Sequence, residues 1–102
     1  MRTLGIDLGT RRVGLALSDE GGRFATPYEV LQVSSPEIAA AKVLEVIAKE
    51  GVARVVVGLP LNMYDSVGPA ARQTIAWGRA VGERCQHPIV FVDERLSSFA
   101  AE

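Results

Sequence analysis

The stretch Thr3-Leu4-Gly5-Ile6-Asp7-Leu8-Gly9-Thr10-Arg11-Arg12-Val13-Gly14-Leu15-Ala16-Leu17 decides how the chain is read. Thr3 to Asp7 is a short apolar run ending on a carboxylate, the pattern of a buried strand. Val13 to Leu17 alternates large apolar residues with small ones and predicts a second strand. Gly9 and Gly14 flank Thr10-Arg11-Arg12, so a tight turn follows the acid and presents two guanidinium groups beside it. Further along, Asp19-Glu20-Gly21-Gly22 is a turn signal and Ala25 to Val33 a third strand. Three strands with such short connections predict an antiparallel meander.

The pattern then changes period. Ser34-Ser35-Pro36-Glu37 is a helix start, with a hydroxyl cap, proline in the first turn and an early acid. Ala40, Val43, Leu44 and Ile47 follow at helical spacing on one apolar face. Glu45 and Lys49 stand at i, i+4 on the other side, and Gly51 is the expected C-cap. Arg54 to Gly58 is a continuous β-branched run, which fits a parallel strand covered on both faces. A loop from Leu59 to Gly68 leads to a second helix from Pro69 to about Cys85. Its apolar face is read as Ala70, Thr74, Trp77 and Val81, with Gly78 and Gly82 either allowing close packing or weakening it. His87-Pro88 ends the helix, and Ile89 to Val92 is a fifth strand ending in Asp93-Glu94. Ser97 or Ser98 offers a cap for a further helix. The order predicts an α/β fold: a mixed five-stranded sheet, β1-β2-β3 antiparallel, β4 and β5 parallel to β1, with helices on its faces.

A chain of 102 residues is the size of one domain, so a single domain over 1–102 is expected and a two-lobed enzyme is not. Apolar residues make up 48% and charged residues 23%, a globular balance that argues against disorder. The net charge is −1, so nucleic-acid binding must rest on a local basic patch. One cysteine, Cys85, excludes a disulfide framework, and one histidine, His87, excludes a histidine metal cluster. Both are read as structural. No run reaches the length of a membrane span, and no signal peptide is visible at the start, so a cytoplasmic protein without a membrane partner is expected.

Three constellations carry chemistry. Asp7 closes an apolar strand, where burial costs a carboxylate dearly unless it is paired, protonated or metal-bound. It could instead be an exposed strand-end acid accepting backbone hydrogen bonds. Asp93-Glu94-Arg95 places acids at the carboxyl end of another strand, where α/β sheets bind ligands. With β4 between them, β1 and β5 would stand about 10 Å apart. Carboxylates converging there suit Mg²⁺ or Mn²⁺, and two such ions about 4 Å apart activate water and stabilise a leaving phosphate oxygen. In the plainer reading Asp93 caps a turn and Glu94 pairs with Arg95 in solvent. Between them, Gly58-Leu59-Pro60-Leu61-Asn62 offers free amides to a phosphate and Asn62 as a ligand-orienting group, or is a simple strand–helix connection. Arg72 and Arg79, seven apart on one helix face, form a phosphate track or a solvated surface.

Taken together, GIDLGTRRVG (Gly5 to Gly14), VVVGLPLNM (Val55 to Met63), GPAAR (Gly68 to Arg72) and FVDERLSS (Phe91 to Ser98) resemble the YqgF/RuvX family. GIDLGT alone also opens the phosphate loop of actin-like and sugar-kinase domains; the motifs in order are the specific signal. The resemblance implies a ribonuclease H-like fold and a metal-dependent nuclease. Its substrate would be branched DNA or structured precursor rRNA. Asp7 would match the first-strand metal ligand. Glu94, with Asp93 beside it, would match the acid after the fifth strand. Thr10, Arg11 and Arg12 would match the turn that meets the substrate backbone, with Asn62, Arg72 and Arg95 as further nucleic-acid contacts. Two features depart from the pattern. The loop Asn62-Met63-Tyr64-Asp65-Ser66-Val67-Gly68-Pro69 has its acid displaced by one and a tyrosine inserted. Family members also continue past this point into a helical segment with another acid. A non-catalytic ribosome-maturation module and an actin-like nucleotide-binding domain are the alternatives. A four-way junction has two symmetric strands to cut and so admits a homodimer, but no dimer face is evident in the sequence.

Overall fold

The computed structural model describes residues 2–9, 11–18, 25–60 and 68–93. The elements in chain order are β1 (Arg2–Leu8), β2 (Arg12–Ser18), β3 (Ala25–Gln32), α1 (Pro36–Glu50), β4 (Val52–Leu59), α2 (Pro69–Cys85) and β5 (Ile89–Asp93). The strands form one sheet in the order β3-β2-β1-β4-β5. The first three are antiparallel, and β4 and β5 run parallel to β1, as the sequence predicts.

The pleat sorts alternate residues onto two faces. Ile6 pairs with Leu15 on one side and Val57 on the other, so these three share a face with Leu4, Val13 and Val55. All six are at most 4% exposed. Burying each contributes about 1.5–3 kcal/mol. Both helices pack on this face, α1 through Ala39, Val43 and Ile47, α2 through Trp77 and Val81. The opposite face carries Thr3, Gly5, Asp7, Gly14, Arg54 and Val56, and no helix among the described residues. Val30 (61% exposed) and Val90 (39%) stand open there. The expected cover of β4 on both faces is therefore one-sided among the described residues: Val57 is buried and Val56 only half-buried.

Local chemistry explains the helix ends. The Ser35 hydroxyl accepts the Ile38 N–H at 3.2 Å, capping α1 with Pro36 at its start. Gly51 ends it at φ 64°, where a side chain would be strained, and its N–H donates to the Ile47 carbonyl. In α2 the buried stripe is Ala71, Thr74, Trp77, Gly78 and Val81. Ala70, expected on that stripe, is exposed. Trp77 sets the phase: its Nε1–H donates to the Pro36 carbonyl at 2.9 Å and so turns Ala71 inward. Gly78 and Gly82 serve close packing. A Cβ on either would come within 2.7 Å of Phe91 or 2.6 Å of Ile89.

The amino end of the sheet is tied by polar contacts. Arg2 Nη1 donates to Glu50 Oε1 at 3.1 Å and to the Glu50 carbonyl at 3.2 Å. The Tyr28 hydroxyl donates to Glu50 Oε2 at 2.9 Å. The Thr3 N–H donates to Ser18 Oγ at 2.9 Å. Glu45 and Lys49 form no ion pair; among the described residues the ion pair is Arg2–Glu50.

Candidate active site

Asp7 is the penultimate residue of β1, at the carboxyl edge of the sheet. Its cross-strand partner is Gly14, and a Cβ on Gly14 would lie 3.7 Å from the Asp7 Cβ. On the β4 side the last pair is Ile6–Val57, so the next row brings Asp7 level with Gly58. Asp7 is exposed and has no ion-pair or hydrogen-bond partner among the described residues. That answers half of the sequence question. Among the described residues the carboxylate accepts no backbone hydrogen bond, and it is not buried.

The turn after Asp7 is held by its backbone. The Gly9 N–H donates to the Arg12 carbonyl at 2.8 Å, and the Arg11 carbonyl accepts the Val33 N–H at 2.9 Å. A Cβ on Gly9 would come within 2.7 Å of the Arg12 oxygen, so this turn needs glycine. Arg11 and Arg12 are exposed and unpaired among the described residues. Arg12 lies two residues from Gly14 along β2, on the same face as Asp7 and diagonal to it.

Asp93 is the last residue of β5, with its backbone opposite Leu59, one row beyond the Gly58–Val92 pair. Two strand spacings, about 10 Å, separate β1 from β5. Arg72 is exposed in the first turn of α2, on the layer that covers the other face, and Arg79 is exposed two turns later. Thr10, Asn62, Glu94 and Arg95, with the Asp19–Gly22 turn and Ser97 and Ser98, lie outside the described residues. Sequence reasoning did not single out Arg54. Its pairing with Thr3 sets it, exposed, on the Asp7 face toward the amino end. The alternation Arg54-Val56-Gly58 carried that signal, hidden by the unbroken valines between.

Among the described residues no three His, Cys, Asp or Glu side chains gather as metal ligands. The donor chemistry fits an ion held jointly with substrate rather than in a closed cage. Mg²⁺ keeps most of its waters and can be held by one or two carboxylates plus phosphate oxygens, a donor set to which one exposed carboxylate such as Asp7 could contribute. A shallow cavity of about 570 Å³ opens at the other end of the molecule, lined by Leu44, Ile47, Gly51, Arg84, Cys85 and His87. It holds none of the acids. Cys85 rests its Sγ 3.8 Å from the Gly82 carbonyl, in keeping with a structural role.

A five-stranded sheet in the order β3-β2-β1-β4-β5, with β4 and β5 parallel to β1 and both helices on one face, is a ribonuclease H-like fold, and solved structures agree. The fold superposes on Thermus thermophilus RuvC in complex with Holliday junction substrate with a TM-score of 0.67, at 18% identity, over 93% of this chain and 66% of that one. It also superposes on a Bacteroides thetaiotaomicron protein with actin-like ATPase fold and unknown function (TM-score 0.58, 8% identity, 99% of this chain, 34% of that one). The chain belongs to the RuvX family, whose sequence model, described as Holliday junction resolvase, matches residues 1–102. A relative from Acidiphilium cryptum, named "Putative pre-16S rRNA nuclease", is 43% identical over 97% of this chain. The chain spans 63% of that relative's length.

Proposed function

We propose that this chain is the core of a divalent-metal-dependent nuclease that hydrolyses phosphodiester bonds of structured nucleic acid. The observation that carries the reading is Asp7: an exposed carboxylate at the carboxyl edge with no partner among the described residues, beside the exposed Arg11 and Arg12, in a chain of the RuvX family. Asp7 would hold Mg²⁺ or Mn²⁺ together with Glu94 and Asp93. Such an ion, when bound, supplies the charge that activates water and steadies the departing oxygen. Arg11 and Arg12 neutralise and orient the phosphates of the bound strand. Thr10, Asn62, Arg72 and Arg95 extend that contact. The family description points to four-way DNA junctions and the relative's name to precursor rRNA, so the common substrate is a folded or branched strand. A junction would call for two copies of the chain.

Incubating the purified chain with labelled four-way junction and with precursor rRNA, with and without Mn²⁺, tests the reading. Mn²⁺-dependent cleavage that disappears in Asp7→Asn is expected. Cleavage that survives Asp7→Asn would sink the assignment. The likeness to an actin-like ATPase fold favours a second reading, a nucleotide-gripping domain, though it spans about a third of that chain. Affinity for ATP with none for junction or RNA would favour it, and nucleic-acid binding without cleavage would favour a maturation module.

A further inference from the structure

Glycine inside a strand weakens it, because the unfolded chain gives up more freedom and no side chain packs. Gly78, Gly82 and Gly9 are each required by an atom that a Cβ would strike. Gly14 is not. It lies inside β2 with no positive φ. The nearest atom to a Cβ there is the Asp7 Cβ at 3.7 Å, ordinary contact, with nothing else within 4 Å among the described residues. The fold would accept alanine or valine at this position, yet the residue is glycine and its one neighbour is the candidate metal ligand.

The register shows what the missing side chain leaves open. Across the sheet at the level of Asp7 the residues read Val30, Gly14, Asp7, Gly58, Val92. Asp7 is the sole side chain between two valines, with bare backbone on both neighbouring strands. Gly58 is buried whereas Asp7 is exposed, so the open approach to Asp7 lies on the Gly14 side, one strand spacing of about 5 Å away. Arg12 borders it on the Asp7 face. We infer that Gly14 is an access residue: its lack of a side chain keeps open the slot through which a nucleic-acid backbone and its hydrated divalent cation reach Asp7. The inference rests on the nuclease reading above. It assigns to a residue outside the ligand set the role of admitting the strand.

The test is a size series at one position. Wild type, Gly14→Ala, Gly14→Val and, as control, Ala16→Val are compared by thermal melting and by fluorescence anisotropy. The probes are a labelled four-way junction and a hairpin RNA, with Mn²⁺ present. Ala16 shares the face and the strand but lies away from the edge, opposite Gly5. Gly14→Val should weaken binding about tenfold or more, and Gly14→Ala by a smaller factor. Both should melt at or above the wild-type temperature, and Ala16→Val should bind like wild type. If wild type binds and Gly14→Val binds equally well, the access role is overturned while the nuclease reading stands. If wild type binds neither probe, the nuclease reading falls and the access role with it. If both Gly14 variants melt well below wild type, glycine is there for the fold and the inference is wrong.

Discussion

The two ends of the sheet hold the same kinds of side chain and treat them in opposite ways. At the amino end Arg2, Glu50 and Tyr28 are joined at 2.9–3.2 Å across segments far apart in the chain. At the carboxyl end Asp7, Arg11 and Arg12 are exposed, and none of the three pairs with another described residue. Arg12 and Asp7 lie on one face and diagonal, so proximity is not lacking. The difference is burial. The Arg2–Glu50 pair is partly sheltered, with side chains 32% and 21% exposed, and its charges gain from each other. The Asp7 end is wet, where an ion pair gains little and the charges stay available to a ligand. Charge locked by geometry serves the fold, and the charge left open at the strand end is what the proposed function would use.

The sharpest way to break this contrast is to neutralise one acid at each end. Asp7→Asn should leave the melting temperature without metal almost unchanged, since no described group depends on it. Mn²⁺-dependent cleavage should fall by about two orders of magnitude or more, a loss of about 3 kcal/mol of transition-state stabilisation. The rise in melting temperature that Mn²⁺ brings by mass action should vanish with it. Glu50→Ala should do the reverse. It removes the partner of Arg2, whose Nε is already buried without a hydrogen-bond partner among the described residues. The expected cost is about 1–2 kcal/mol in denaturant unfolding, with nucleic-acid affinity unchanged. A stability loss in Asp7→Asn equal to that in Glu50→Ala would erase the distinction.

A smaller effect separates the arginines. Replacing Arg11 and Arg12 together by Ala should weaken binding to any nucleic acid and flatten the salt dependence by about two units of slope at most. Arg2→Ala should leave the slope alone, because its guanidinium is engaged by Glu50. Measuring log affinity against log salt for both variants decides it. The chain is expected to melt in a single cooperative transition, because its strands and both helices share one core.

Much of this was legible before any coordinates, for physical reasons. The α1 boundaries follow from a hydroxyl cap and a terminal glycine, which act within a few residues. Asp7 could be singled out because an acid closing an apolar run is costly anywhere but at an edge. Other features depend on contacts distant in sequence. Arg2 and Glu50 are 48 residues apart, and no local pattern couples them. Val56 and Val57 look alike in the valine run, and only the one-sided helix packing makes one half-buried and the other core. In α2 the pattern places Thr74, Trp77 and Val81 correctly on the buried stripe and errs only at its start, because Ala70 and Ala71 look alike until the helix packs with Ala71 inward. The glycine row around Asp7 needs the register of three strands.

The finest test of the amino end uses pH. The Tyr28 hydroxyl donates to a Glu50 carboxylate oxygen, and that hydrogen bond, with partial desolvation and the nearby charges of Glu50 and Glu29, raises its pKa above the ordinary 10.0. The folded state therefore holds the phenol proton more tightly than the unfolded chain does. The stability this contact provides is complete below the unfolded value and is lost as pH climbs through the raised folded value. Tyr28→Phe should thus cost a constant small amount of stability at neutral pH, and the gap to wild type should close above about pH 10. The chain has one other tyrosine, Tyr64, so tyrosinate absorbance in wild type should contain two ionisations. An ionisation above the ordinary value should disappear in Tyr28→Phe and move down toward that value in Glu50→Gln. A Tyr28 that ionises at the ordinary value, or a stability gap that widens with alkali, would mean that the Glu50 contact is too loose to hold the proton. The amino end would then be no better tied than the end that carries Asp7.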